Sequence, residues 1–228
     1  MIQKRERIVL EILEKLPKDG VVLIGGYAIN AYTAPRFSVD CDLVVLDNLE
    51  KIEQALREEG FEKAGEGDVP YGQYIRYVSR EEDVSFDLLN GAVEDRNTGI
   101  IFNADMFRRH SDVRTTVGRA NPIHIELRIV DPELLFAMKF VSARKQDIRD
   151  LFMLAGEDLD RDVVTALIQE KCDADTIKKH AQAVRKAVDG EHYRDSLQGP
   201  YGKIPDAQFN RCNETLHSIL NELEKGAA

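Results

Sequence analysis

No apolar run in this 228-residue chain approaches the ~20 residues that a membrane span requires, so a membrane protein is not expected. The N-terminal stretch MIQKRERIVLEILEKL interleaves charges with apolar residues and lacks the core of a secretion signal, which makes the cytoplasm the expected location. Cysteine is scarce. Cys41, Cys172 and Cys212 are odd in number, far apart and without a C-x-x-C pair, so neither a disulfide framework nor a zinc site is indicated. Histidines 110, 124, 180, 192 and 217 show no metal-ligand spacing and no serine in a nucleophile-elbow setting, which excludes a hydrolase triad. Positive charge is also short: 31 Lys and Arg stand against 41 Asp and Glu, a formal net charge of -10. That balance argues against a general nucleic-acid coat and leaves room for a local basic groove.

What the chain does have is ordinary for a globular protein, with 43% hydrophobic and 32% charged residues and no internal repeat. A chain of this length can bury roughly 70% of its unfolded surface, as one large domain or two small ones. The informative stretch runs from Val21 to Leu46. Its first apolar run, Val21 to Ile24, ends at Gly25-Gly26, and Tyr27 to Tyr32 suit a short helix. A diglycine lets backbone approach a ligand closely, and a helix start offers N–H groups to phosphate. Val39 to Leu46 then reads as a strand, whose alternation puts Asp40 and Asp42 on one face and Cys41 and Leu43 on the other.

Two carboxylates side by side repel unless a cation lies between them. Hard oxygen ligands of this kind suit Mg²⁺, held by one or two carboxylates and substrate phosphates. A third acid, Asp87, occurs in the strand-like run Val84 to Leu89. Three such ligands make room for two ions roughly 4 Å apart, the clamp of phosphoryl chemistry. The alternating run Tyr74 to Val78 and the turn-like Ser79 to Asp83 predict an antiparallel hairpin that carries Asp87 to the first two aspartates.

The rest of the pattern separates two halves. Residues 2 to 16 predict an amphipathic helix with Ile8, Val9, Ile12, Leu13 and Leu16 inward, and Asn48 or Asp47 is placed to cap a helix through Arg57. Phe61 to Pro70 reads as an acidic, Gly-rich loop, 91 to 111 has weak periodicity, and 114 to 117 and 123 to 130 read as strands. From Asp131-Pro132 onward the pattern is helical, near 132 to 145, 147 to 156, 160 to 171, 174 to 188 and 206 to 224, with Asp147 and Asp150 as caps and Gly190 to Pro205 as a long connection. The expected fold class is α+β: residues 1–130 form a mixed, mostly antiparallel catalytic sheet with flanking helices, and 131–228 form a helical domain that completes a cleft.

Gly25-Gly26, residues 27 to 39, Asp40-x-Asp42 between apolar positions and a later apolar strand with Asp87 together resemble the nucleotidyltransferase superfamily that includes DNA polymerase β. Within it, Asp131-Pro132-Glu133-Leu134-Leu135 leading to Lys139, Arg144, Asp147 and Asp150 looks like the abortive-infection AbiEii type, some members of which are toxins of toxin–antitoxin pairs. The likeness covers about Val21 to Leu154. It departs in one respect: many members have Gly-Ser where this chain has Gly25-Gly26, so backbone N–H groups replace a hydroxyl contact.

This resemblance implies Mg²⁺-dependent transfer of a nucleoside monophosphate from an NTP (ATP, GTP or CTP) to an acceptor hydroxyl, with Asp40, Asp42 and Asp87 as metal ligands and catalytic residues. Two Mg²⁺ ions are implied, with Mn²⁺ as a substitute. Nucleotide contacts fall to Gly25, Gly26, Arg36, Lys139, Arg144 and Asp147. Each has a bland counterpart: Arg36 as a surface arginine, Lys139 in the apolar LLFAMKFV as an ion-pair partner of a nearby carboxylate, and Asp147 as a cap. Arg144, Lys145 and Arg149 form either a basic lip or solvated surface. In role, the resemblance implies an RNA acceptor, tRNA first, and a partner antitoxin. The alternatives are an inactive nucleotide-binding protein that keeps the fold, or nucleotidylation of a small molecule such as an antibiotic.

Overall fold

The computed structural model describes residues 1–226. Its elements are, in chain order, α1 (Ile2–Lys15), β1 (Val21–Ile24), α2 (Gly25–Ile29), β2 (Asp40–Val45), α3 (Leu49–Glu58), β3 (Glu62–Val69), β4 (Gly72–Ser79), β5 (Val84–Asn90), β6 (Ala92–Glu94), β7 (Ile101–Asn103), α4 (Ala104–Arg109), β8 (Ser111–Val117), β9 (His124–Val130), α5 (Pro132–Ser142), α6 (Lys145–Leu154), α7 (Arg161–Lys171), α8 (Ala174–Val188), α9 (Tyr193–Tyr201) and α10 (Asp206–Gly226). Packing divides them into two units. The first is Met1–Glu94 with Ile101–Asp131, and the second is Asp95–Ile100 with the segment from Pro132 onward. No helix among the described residues is long and apolar enough to cross a membrane, and the three cysteines are buried free thiols.

In the first unit, seven strands form one sheet in the order β3-β4-β5-β2-β1-β9-β8. The run Val21–Ile24 becomes an interior strand because all four of its residues are buried. β1 pairs antiparallel with β2 and parallel with β9, β2 pairs parallel with β5, and the other neighbours are antiparallel. The sheet is thus mixed and mostly antiparallel, with helices against it. α1 packs on β9 and β5, and α2 on β1, β2 and β8. The α1 spacing buries Val9, Ile12 and Leu13 as expected; Leu10 joins them, while Ile8 is only half-buried.

Three expectations give way. Glu62–Val69 is a strand and not a loop: it is the edge strand β3, bonded on one side to β4 with a bulge at Lys63/Gly65. Its residues from Glu62 to Asp68 are all exposed, so no apolar alternation marks it. The supposed connection at 190 to 205 holds α9, because Tyr193, Leu197 and Tyr201 recur every fourth residue and are buried. Its Gly199 and Pro200 fall in the last turn, where they read as breakers without preventing the helix. The cap assignments also change. Asn48 occupies the N-cap of α3 without a side-chain cap bond, and α6 starts after Arg144 with Asp147 already inside it.

The second unit is built from α5 to α10. Phe136, Phe140, Leu151, Phe152, Leu216 and Ile219 lie in its core. Phe152 meets Tyr193 edge-on, ring centroids 5.3 Å apart, and Phe209 at 4.9 Å.

One buried charge holds the first unit at its N-terminus. Glu6 is fully buried, and its carboxylate accepts the backbone N–H groups of Arg119 at 2.6 Å, Ala120 at 2.9 Å and Asn121 at 3.1 Å, with the Asn121 amide at 2.8 Å. These bonds tie α1 to the loop between β8 and β9. Glu6→Ala strands those donors and is expected to lower the unfolding free energy by at least about 1.5–3 kcal/mol in a urea titration, the range for bonds to a charged group. Glu6→Gln, which keeps one acceptor oxygen, should lose less.

Candidate active site

The parallel register of β2 and β5 sets Asp40 opposite Ser85 and Asp42 opposite Asp87. Residues opposite each other in paired strands project from the same face, so all four share one side of the sheet. On the flanks, Ile24 of β1 pairs with Asp42, and Arg76 of β4 pairs with Asp87. A single row therefore crosses four strands: Ile24, Asp42, Asp87, Arg76. The opposite face at this level is apolar, with Cys41, Phe86 and Tyr77 fully buried. Burial first, then the charges of Asp42, Asp87 and Asp40, push the Cys41 thiol well above its usual range, so it stays protonated and serves as packing.

The turn from β1 into α2 is shaped around the row. Gly25 has φ +67°, a conformation that favours glycine, and a Cβ there would overlap the Asp42 carboxylate. A Cβ at Gly26 would overlap Ser38 and press on the Arg36 guanidinium. The diglycine thus lets backbone lie directly against Asp42 and against the Arg36–Ser38 loop. Tyr27, buried beneath, donates to the Ser38 carbonyl at 3.3 Å, and burial pushes its hydroxyl far above the ordinary tyrosine range. Arg36 is buried. It donates to the Phe37 carbonyl at 3.0 Å, and its backbone N–H bonds Asn30 at 2.9 Å, so it braces the loop leading to β2.

Sequence reasoning did not single out Arg76, Tyr74 or Ser85, and all three bond the aspartates. Arg76 donates through Nη2 to Asp40 Oδ1 at 2.9 Å and to Ser85 Oγ at 2.9 Å, and through Nη1 to Asp87 Oδ2 at 3.4 Å. Ser85 also bonds the Asp40 carboxylate, and the Tyr74 hydroxyl donates to Asp87 Oδ1 at 3.1 Å. A hydrogen bond with Tyr74, then the charges of Asp87 and Asp40, raise the Arg76 pKa against its partial desolvation. The signal was in the hairpin. Ser79 pairs with Val84, and three steps along each strand lead to Arg76 and Asp87.

The row also bears on a divalent cation. Its donors are carboxylate oxygens, the class that suits Mg²⁺; Asp42 and Asp87 are direct neighbours across parallel strands, and Gly25 clears space at Asp42. Among the described residues, no three His, Cys, Asp or Glu side chains already converge as a ligand group, and the cation bridging Asp40 and Asp87 is Arg76. The donors fit such an ion in kind and in order along the sheet, provided that Arg76 yields.

Residues 7–221 match the family described as the nucleotidyl transferase AbiEii toxin of a type IV toxin–antitoxin system. The chain belongs to the AbiEii nucleotidyltransferase family. No curated protein sequence matches it. Among solved structures, it is similar to MenT4, a nucleotidyltransferase toxin from Mycobacterium tuberculosis, at 15% identity over 97% of this chain and 84% of that one, with a TM-score of 0.52. JHP933 from Helicobacter pylori aligns at 15% identity over 99% and 94%, with a TM-score of 0.47. The likeness to MenT4 establishes the fold.

The AbiEii-type resemblance implies nucleotide contacts at Lys139, Arg144 and Asp147, all in the second unit. There Lys139 of α5 is buried, and its ammonium lies 2.8 Å from Asp147 Oδ1 and 2.9 Å from Asp150 Oδ2, both on α6. The ion-pair alternative raised by its apolar surroundings is the arrangement observed. Arg144 adds a bond to Asp147 Oδ2 at 2.8 Å, and Tyr201 of α9 donates to Asp150 Oδ1 at 2.6 Å. The basic lip is partly consumed as well, since Arg149 reaches Ser196 and Gln146. Asp147 caps nothing; it joins two helices.

Removing Lys139 leaves two buried carboxylates short of their counter-charge. Lys139→Ala is expected to destabilise by about 3–5 kcal/mol, measured by urea unfolding. The pH response follows from Asp147. Burial alone would raise its pKa, but the Lys139 and Arg144 charges and bonds outweigh it and lower it. Stability from this group is therefore complete above the unfolded value near ~3.9 and is lost as pH falls through the lower folded value. Asp147→Asn should flatten that acid limb in melting temperatures recorded from pH 6 to pH 2.

Proposed function

We propose that this AbiEii-family protein transfers a nucleoside monophosphate from an NTP to an acceptor hydroxyl and releases pyrophosphate. The observation that carries the reading is the alignment of Asp42 with Asp87 across parallel strands, beside a Gly25 turn whose missing Cβ leaves the Asp42 carboxylate its space. Asp40, Asp42 and Asp87 are the residues that would hold Mg²⁺, two ions by the donor count or Mn²⁺ in its place, and the metal would lower the acceptor hydroxyl's pKa and screen the triphosphate.

The protein's own groups do the remainder. Gly25 and Gly26 bring backbone to the phosphates, and Arg36 holds the loop that positions the start of β2. Asp87 works on the acceptor side, and its Oδ2, whose contact with Arg76 is the longer of that guanidinium's two carboxylate contacts at 3.4 Å, receives the hydroxyl proton. The acceptor oxygen bonds to the α-phosphorus, and the bond from that phosphorus to the pyrophosphate bridging oxygen breaks. Fixed charges and alignment are the main sources of rate. Lys139 and Arg144 contribute by ordering the second unit, with Arg144, exposed along most of its length, the better placed to meet a phosphate. The family description favours a toxin kept in check by an antitoxin, and the acceptor proposed for it is an RNA end, tRNA first.

Incubation with each α-labelled NTP, Mg²⁺ and total RNA or total protein tests the reading. Label is expected on RNA, and label on protein or on a small molecule would reassign the acceptor. Asp42→Asn should abolish transfer while the melting temperature without metal stays level or rises, because the exchange relieves repulsion within the row. Near-normal turnover in that variant at saturating Mg²⁺ and NTP would rule out the metal assignment.

A further inference from the structure

The acidic row contains its own counter-charge. Arg76 lies in register with Asp87, reaches across it to Asp40, and is held by Ser85, which itself bonds Asp40. A guanidinium is a planar fork that can bind two carboxylates at once, and it stays charged at any working pH. The oxygens it occupies, Asp40 Oδ1 and Asp87 Oδ2, belong to two of the three residues offered to a metal. A carboxylate oxygen committed to a guanidinium N–H is a poorer ligand, and a fixed positive charge beside the row lowers its attraction for a second cation.

The surroundings allow the fork to leave. The Arg76 side chain is 37% exposed, and with Asp40 and Ser85 it already lines a cavity of about 230 Å³ whose other walls include Val39, Val78 and Arg80. The stem of an arginine packs well on apolar side chains while its head stays in water.

We propose that Arg76 is a positioning residue that competes with the divalent cation for Asp40 and Asp87, so that its release toward this cavity accompanies metal entry and its hold sets the metal affinity. The inference rests on the metal reading above. By keeping Asp40 and Asp87 apart from each other's charge, Arg76 would also make the row stable at low metal concentration, and the site would engage fully only when an ion, arriving with its nucleotide phosphates, outbids the arginine.

Mn²⁺ binding to the full chain, followed by electron paramagnetic resonance without nucleotide, tests this in the parent, Arg76→Gln and Arg76→Lys. Arg76→Gln should bind Mn²⁺ about tenfold more tightly or better, and its melting temperature should rise more on adding Mn²⁺ than the parent's does. Arg76→Lys, which keeps the charge without the fork, should lie between them. Equal or weaker affinity in both variants, with the parent binding Mn²⁺, overturns the competition and leaves the metal reading intact. No Mn²⁺ bound by any of the three overturns both. If Arg76→Gln does not fold, as circular dichroism would show, the Arg76→Lys comparison decides alone: tighter than the parent supports the proposal, equal or weaker refutes it.

Discussion

Two like charges, Asp42 and Asp87, stand opposite each other on parallel strands, and most of the first unit's architecture is a response to that pairing. The acidic row is met from β4 and β5: the Arg76 fork bonds Asp87 and the neighbouring Asp40, Tyr74 bonds Asp87, and Ser85 bonds Asp40. Backbone on the other side makes way, because Gly25 adopts a conformation that favours glycine. Beneath, a dry layer with Cys41, Phe86 and Tyr77 keeps the strands at fixed spacing. A substitution at any of these positions reaches the aspartates through the pairing and not only through its own contacts.

The second unit solves the same electrostatic problem differently. Its two aspartates, Asp147 and Asp150, are buried more deeply, and a lysine from the facing helix neutralises them. Here the charges serve cohesion: Lys139, Asp150 and Tyr201 connect three helices through buried groups. An arginine at the sheet is exposed enough to move, whereas the lysine in the helices is not. That difference in exposure separates a site that can exchange partners from a cluster that cannot.

Much of this was legible in the residues. The alternation around Asp40, Cys41 and Asp42 gave the face, the glycines gave the turn, and the hairpin leading to Asp87 gave the third acid. Strands without apolar alternation were not legible, as β3 shows, because an edge strand bonded on one side can be polar throughout. Nor was the partner of Lys139. Burial of an ammonium demands an anion, but which one depends on how the chain turns between α5 and α6, through an Ala143 whose φ of 45° alanine rarely adopts. Arg76 was hidden for a related reason: an arginine in an alternating strand looks like the solvent side until cross-strand register is counted.

The strand order has a consequence for the protein as it is made. β1 is completed early, yet one of its two neighbours in the sheet is β9, about a hundred residues later, and the Glu6 carboxylate waits for the amides of 119–121. Such distant pairings make for slow folding. Until residue 130 has left the ribosome, β1 presents an unpaired, wholly apolar edge, the kind of surface that chaperones shield and that aggregates when unshielded. The aspartate row itself needs nothing beyond Asn90 to pair, so its strands can meet well before the sheet that supports them closes.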